Sequence, residues 1–552
     1  MSQKNIYRVF LVGCFIIGSA VTTSGQGVYE AWVARYNGPG NNLDEAIALA
    51  VDDSGFVYVT GSSYGSSGFY DYATIKYTSK GDTVWVRRYD GPIGADDKAN
   101  ALAVDAGGNI YVSGYSTGAG TLEDYTTTKY SPVGDTLWVR RYNGPADLVD
   151  RAAAVAVDDS GNVYVTGRSQ GKGSLADYLT IKYSPLGDTV WVRRYDGPAN
   201  NDDRAQAIQV DDSGYVYVTG HSRGTGSLAD YATLKYSPFG DTLWVRRYND
   251  TTGNDLDQAI DLMLDQSGSV YVTGQSRGGG TSSDYATIKY SSAGNLIWVR
   301  RYNGPANSVD QANSLVLDEN GSVYVTGQSR GSGSSLDYAT INYTSFGDTV
   351  WIKRYNGPGN DFDRAWALAI DTSGNLYVTG ISFGSGSDFD YATIKYAPNG
   401  DTLWVRRYNG PGNFYDGARA LAVDNSGNVY VAGRSEGSGT SLDYATIKYS
   451  PCSAIPGDVN ASGAITIGDI IHLVNYIFDK DRLPCLGADP GNCWTPGPFC
   501  RGDVNQTGTI TIGDIVHLVN YIFDEDRLPC LGSNPGNCWT PEASGACCLA
   551  VP

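Results

Sequence analysis

Between residues 46 and 89 the apolar side chains come in four short bursts, AIALAVD, FVYVTGS, DYATIKY and DTVWVRRY. They are parted by DSG, a Gly/Ser loop, a Gly-Asp turn and an Asn/Asp-Gly-Pro segment. Bursts of that length bounded by turn formers predict four strands joined by tight connections. In the first, Ala46, Ala48 and Ala50 alternate with Ile47, Leu49 and Val51, so the strand is apolar on both faces, with one small face that permits close approach. In the fourth, Trp85 and Arg87 share one face, and Val84, Val86 and Arg88 share the other.

The pattern repeats. Its tryptophan returns at Trp32, Trp85, Trp138, Trp191, Trp244, Trp298, Trp351 and Trp404, at a spacing of 53 residues broken once by 54. Four strands in about 50 residues is the size of a propeller blade. Residues 28–36, VYEAWVARY, supply a lone fourth strand before any first strand, and the last unit stops after its third strand at Pro451. An open stack would leave both edges unpaired and call for capping repeats, which the sequence lacks. The expectation is therefore an all-β, eight-bladed propeller over residues 28–451, closed by pairing of residues 28–36 with the strand near residues 443–450. Through NVYVTG, DYATIKY and the Gly-Asp-x-x-Trp step, this region resembles the bacterial SBBP β-propeller repeats, a resemblance that implies fold and is nearly silent on function.

Composition agrees: 70 glycines, 41 tyrosines and 2 methionines in 552 residues suit many short strands and tight turns. The formal charge of -19 divides into -12 over residues 1–451 and -7 over residues 452–552, which excludes the basic footprint of a nucleic-acid binder. Lys4 and Arg8 precede an apolar run from Val9 to Ile17 and then small residues, so residues 1–25 read as a secretory signal peptide. LVGC at Leu11 to Cys14 also matches a lipoprotein lipobox, although the apolar run continues past Cys14. No later stretch approaches the length of a membrane span, and the expectation is a soluble, exported, monomeric propeller.

Two aspartates recur in all eight units. One precedes the first strand (Asp44, Asp97, Asp150, Asp203, Asp257, Asp310, Asp363, Asp416) and one opens the third (Asp71, Asp124, Asp177, Asp230, Asp284, Asp337, Asp390, Asp443). They form an acidic ring for cations or sugar hydroxyls, or they cap loop N–H groups and pair with the equally regular arginines of the Arg35 and Arg88 series; a role needed by every blade favours the second. Near-identical blades rarely supply the asymmetric groups of a catalytic site. His221 replaces Arg168 or Gln275 of equivalent loops and reads as a drifted surface residue; Trp366, Phe414 and Tyr415 break the pattern and offer faces for a sugar ring or simply packed aromatics.

A second repeat, GDVNASGAITIGDIIHLVNYIFDKDRLPC (457–485) and GDVNQTGTITIGDIVHLVNYIFDEDRLPC (502–530), opens each time as a calcium loop and continues as an amphipathic helix. Loop positions 1, 3, 5, 7, 9 and 12 fall on Asp458, Asn460, Ser462, the Ala464 carbonyl, Thr466 through a water, and Asp469. In the second copy they fall on Asp503, Asn505, Thr507, the Thr509 carbonyl, Thr511 and Asp514. Gly463 and Gly508 stand at the sharp turn, and His472 and His517 lie off the apolar stripes as solvated helix residues. This pair resembles a type I dockerin, a small α-helical, EF-hand-like module, and the resemblance implies calcium and a cohesin-like partner. Here, however, positions three and five carry no aspartate and positions ten and eleven are Ile467, Gly468, Ile512 and Gly513, so calcium is better supported than cohesin and is expected in the millimolar range.

Cys452, Cys485, Cys493, Cys500, Cys530, Cys538, Cys547 and Cys548 crowd this region and read as a disulfide framework. The matched CLGxxPGNCW segments suggest Cys485–Cys493 and Cys530–Cys538 among the 105 pairings that eight cysteines permit. The domain plan is thus residues 1–25 signal peptide, 28–451 propeller, 452–545 calcium module and 546–552 tail. It points first to a secreted, non-catalytic binding protein attached through its tail to a cohesin-like or other surface protein. The alternatives are a carbohydrate-active enzyme, a glycoside hydrolase or polysaccharide lyase, and a structural adhesive protein; polysaccharide is a partner in either of the first two readings.

Overall fold

The computed structural model describes residues 28–250, 255–278 and 282–451. One compact unit takes in residues 33–447, and of the second only residues 28–32 and 448–451, the ends of two strands, are described. The helical calcium module, its twelve ligand candidates, the cysteines and the leader lie outside the described residues. Among the described residues no helix is long and apolar enough to cross a membrane.

The strands form eight four-stranded antiparallel sheets. The first blade runs Asp44–Val51, Val57–Tyr64, Tyr70–Tyr77 and Thr83–Tyr89, as the apolar bursts predict. In the eighth sheet the order is Asp416–Val423, Val429–Glu436, Leu442–Pro451 and then Val28–Tyr36, so the N-terminal strand completes the C-terminal blade. First strands neighbour first strands around the whole set, including the first blade against the eighth, and so enclose the axis of a closed eight-bladed ring.

The tyrosine bond between blades is the same in all eight copies, and the tryptophan and arginine bonds recur in most of them. Trp85 donates Nε1–H to the Pro132 carbonyl of the next blade, and Arg87 donates to the Gly134 carbonyl, confirming that the two share a face. Tyr72 donates its hydroxyl to the Thr126 carbonyl, and Tyr444 makes the same bond across the closure to Ala73. The tyrosine and tryptophan rings from adjacent blades pack at centroid distances near 6 Å, as in Trp138 to Tyr183 at 6.0 Å. Second and third strands are buried along most of their length, and apolar clusters lie between neighbouring blades.

One expectation fails locally. Strict alternation of the first strand is interrupted in all eight blades by a β-bulge: Ala46 pairs with Gly61 and Ala48 with Thr60, which leaves Ile47 outside the ladder. A Cβ on Gly61 would stand 2.0 Å from the Glu45 carbonyl oxygen, so only glycine admits this backbone. The bulge re-aims the side chains before and at the extra residue, and those positions carry the site.

Candidate binding site at the loop end of the inner strands

The repeated aspartates are committed to the scaffold. Each carboxylate that opens a first strand is fully buried and accepts a backbone N–H from the preceding loop, from Gly38 to Asp44 at 2.7 Å through Gly410 to Asp416 at 2.6 Å. Each carboxylate that opens a third strand pairs with an arginine of the fourth strand, as Asp177 does with Arg194 at 2.7 Å. That arginine also reaches the serine hydroxyl and carbonyl that end the second strand, Ser169 for Arg194. Burial pushes Asp97, Asp257, Asp363 and Asp416 up to about 6 and raises the other four first-strand aspartates. Asp71, Asp90 and Asp97, and likewise Asp177, Asp196 and Asp203, bring three carboxylates together, but Arg88 and Arg194 already neutralise one member of each set. The open acidic ring is therefore absent among the described residues.

The blades differ instead at three registers beside these aspartates. The second residue of the first strand reads Glu45, Lys98, Arg151, Arg204, Gln258, Gln311, Arg364 and Gly417. Its cross-strand partner reads Ser62, Tyr115, Arg168, His221, Gln275, Gln328, Ile381 and Arg434. The bulged residue reads Ile47, Asn100, Ala153, Gln206, Ile260, Asn313, Trp366 and Arg419. All sit at the end of the inner strands nearest the Gly-Pro loops: the second residue follows directly on the aspartate that caps those loops, its cross-strand partner lies opposite it, and the bulged residue comes two positions later.

In the third and fourth blades these positions bring together Arg151, Arg168, Arg204 and His221. Arg151 forks onto Glu123 and lies over the Tyr115 ring at 4.7 Å, both in the preceding blade. Arg204 holds Asp202 through Nε and Nη2, at 3.0 and 2.8 Å. Burial, then the nearby Arg204 and Arg151, lower Arg168 from the usual guanidinium value. His221, the cross-strand partner of Arg204, is 7% exposed and its Nδ1 has no hydrogen-bond partner. This corrects the reading of His221 as a surface residue: burial drops it to about 4, so the imidazole is neutral at neutral pH.

On the far side of the ring, in the seventh, eighth and first blades, the same registers build a stacked ladder. The Arg364 and Arg419 guanidinium groups lie over the Trp366 indole at 3.6 and 4.4 Å. Glu45 accepts from Arg419 at 3.1 Å and pairs with Arg434 at 3.4 Å, and Arg434 covers the Tyr415 ring at 4.5 Å. Trp366 and Tyr415 are thus stacked against arginine, whereas Phe414 is 58% exposed. The Trp366 Nε1 and the Nε atoms of Arg364 and Arg434 are buried without hydrogen-bond partners. In the fifth and sixth blades the pairs are neutral, Gln275 donating to Gln258 and Gln328 to Gln311.

A cavity of about 230 Å³ opens at the other end of the third and fourth blades, beside Asp158, Lys182 and Asp211. Its groups are internally satisfied: Asp158 accepts from Ser160, Asn162 and Tyr164, and Lys182 donates to the Pro238 carbonyl. The inner-strand registers, with unmatched donors and blade-to-blade variation, are the stronger candidate.

Among curated proteins, the chain is 22% identical over 469 residues to an uncharacterized WD repeat-containing protein of Acanthamoeba polyphaga mimivirus, covering 65% of this chain and 31% of that one. It is 33% identical over 114 residues to the regulatory protein FlaEY of Caulobacter vibrioides, covering 18% of this chain and 12% of that one. The chain therefore spans less than a third of the length of either relative. Among solved structures, the polysaccharide lyase Uly1 aligns at 10% identity over 66% of this chain and 91% of that one, with a TM-score of 0.39. The β-propeller domain of the trilobed protease from Pyrococcus furiosus aligns at 9% identity over 67% and 98%, with a TM-score of 0.35. Residues 31–69, 137–173 and 297–333 match the family model SBBP, Beta-propeller repeat, so SBBP β-propeller repeats occur within the eight-bladed ring.

Proposed function

We propose that the protein is an exported, non-catalytic binding protein whose propeller recognises its ligand at the loop end of the inner strands. One observation carries the reading: blades that agree at nearly every structural position diverge at three adjoining registers, where they place charged and aromatic groups with unused hydrogen-bonding atoms. A scaffold role is the same in every blade, while recognition of an asymmetric ligand is not. Residues 452–552 serve as the attachment module, and the spacing of Asp458 to Asp469 and of Asp503 to Asp514 supports a calcium requirement there.

The test compares the full chain with a variant ending at Pro451 for recovery of partners from the producing cell's extract, with and without chelator. Chelator-sensitive recovery by the full chain alone supports the attachment role; equal recovery by the shortened chain overturns it. For the propeller, Trp366→Ala and His221→Ala in the full chain are expected to change ligand recovery without unfolding the ring, as read by circular dichroism. Unchanged recovery in both would remove the inner-strand site.

A catalytic reading is favoured by His221 alone, a neutral buried imidazole with a free nitrogen beside arginines. Turnover of an acidic polysaccharide that disappears in His221→Ala would establish it. The repeated aspartates, tied to backbone and arginine, leave no matching carboxylate pair for a hydrolase among them.

A further inference from the structure

We infer that the cluster at the loop end of the third and fourth blades is an oxyanion site, in which Arg168, flanked by Arg151 and Arg204 and backed by His221, receives a carboxylate of an acidic ligand. This deepens the binding role proposed above and rests on it. The charges there do not balance: Glu123 takes both forks of Arg151 and Asp202 takes both forks of Arg204, while Arg168 has neither an ion pair nor a hydrogen bond among the described residues. A guanidinium partly withdrawn from water beside two like charges is unfavourable unless an anion completes the set.

His221 gives an independent indication. It is 7% exposed and its Nδ1 meets no protein group, so a buried polar atom without a partner sits in the field of Arg204 and Arg168. The cluster is reachable from solvent: the side chains of Arg151 and Arg204 are 38% and 41% exposed, with Arg168 half-buried and His221 buried beside them. The planar fork of arginine matches a carboxylate in two parallel hydrogen bonds. Elsewhere the charges at the same registers are paired by Glu45 between Arg419 and Arg434 or replaced by neutral glutamine pairs in the fifth and sixth blades. A free small carboxylate and the uronate of an acidic polysaccharide present the same chemistry.

The experiment uses the full chain with galacturonate, polygalacturonate and neutral dextran, read by calorimetric titration and thermal midpoint at two salt concentrations. Wild type is expected to bind one or both anions, more weakly at high salt, and to ignore dextran. Binding of the monomer identifies a small-carboxylate source, and binding of the polymer alone identifies the polysaccharide. Arg168→Gln is expected to weaken binding about tenfold or more while leaving the unliganded thermal midpoint equal to or above that of wild type, because a like-charge conflict is relieved. Arg223→Gln, an exposed arginine at the end of the same strand as His221, is the control and is expected to bind as wild type. Failure of wild type to bind either anion, unchanged binding by Arg168→Gln, or a loss of midpoint in that variant that marks Arg168 as a structural group would each overturn the site. Binding that survives Arg168→Gln but is lost in Trp366→Ala would overturn this site and leave the broader binding role standing.

Discussion

At the scale of single residues, side chains of one type do opposite jobs within one blade. Arg194 is woven into the scaffold by Asp177 at 2.7 Å, Ser169 Oγ at 2.6 Å and the Ser169 carbonyl at 2.7 Å, whereas Arg168, one residue before that serine, has no such partners. Arg194→Ala leaves a buried Asp177 without its counter-charge and is expected to cost about 2–4 kcal/mol in chemical denaturation. A loss below about 1 kcal/mol would show that water replaces the guanidinium. The role of Arg194 was legible in the sequence because it recurs in every unit at a fixed distance from an aspartate. His221 was misread for the complementary reason: its register holds arginine, glutamine, tyrosine and isoleucine elsewhere, and such variation looks like a surface position although the strand pairing buries it.

At the scale of the element, the bulge is what turns a repeating strand into a place for variation. It places residue 47 and its equivalents outside the ladder, and that freedom lets Trp366 and Arg419 stand where Ile47 and Ala153 stand in other blades. Its only mark in the sequence is the glycine of VYVTG, which reads equally well as a turn signal, so strict alternation was the natural expectation. In the fourth blade a Cβ on Gly220 would meet the Arg204 carbonyl oxygen at 2.0 Å. Gly220→Ala is therefore expected to destabilise by about 1–3 kcal/mol and to disturb ligand binding by displacing Arg204 and His221. Gly173→Ala is the contrast for steric crowding, since that added carbon meets no atom within 4 Å, though a φ of +92° adds backbone strain there. Normal binding and stability in Gly220→Ala would mean that the bulge does not set the site.

At the scale of the molecule, eight copies of one buried aspartate make acidity a collective property. Folded values of about 6 for Asp97, Asp257, Asp363 and Asp416, against about 3.9 in an unfolded chain, and raised values for the other four mean that the folded state holds protons that the unfolded state has released between roughly pH 4 and 6. Their contribution to stability accordingly grows as pH falls through that window. His221 acts the other way, because its lowered value makes the unfolded chain take the proton first, but it is one group against eight. The thermal midpoint of the full chain is expected to rise from pH 7.5 to pH 5; a steady fall over that range would contradict the burial argument. The ring itself was readable from a missing strand at one end and a spare one at the other, whereas the position of the binding groups depended on a backbone irregularity that periodicity does not record.

Closure has a further reach. Arg35 takes Asp443, Ser435 and Tyr408 as partners, 408, 400 and 373 residues away in the chain. A chain beginning at Asn37 would leave the Leu442–Pro451 strand as a bare edge and is expected to self-associate in a concentration-dependent way by light scattering; a monomer of unchanged midpoint would sink the idea. During synthesis the earliest strand of the ring has to wait for the latest one, with its backbone donors and acceptors open to any other nascent chain. Such a molecule needs either a holding partner or delayed folding until the whole polypeptide is present, which makes the timing of assembly as much a part of its design as the geometry.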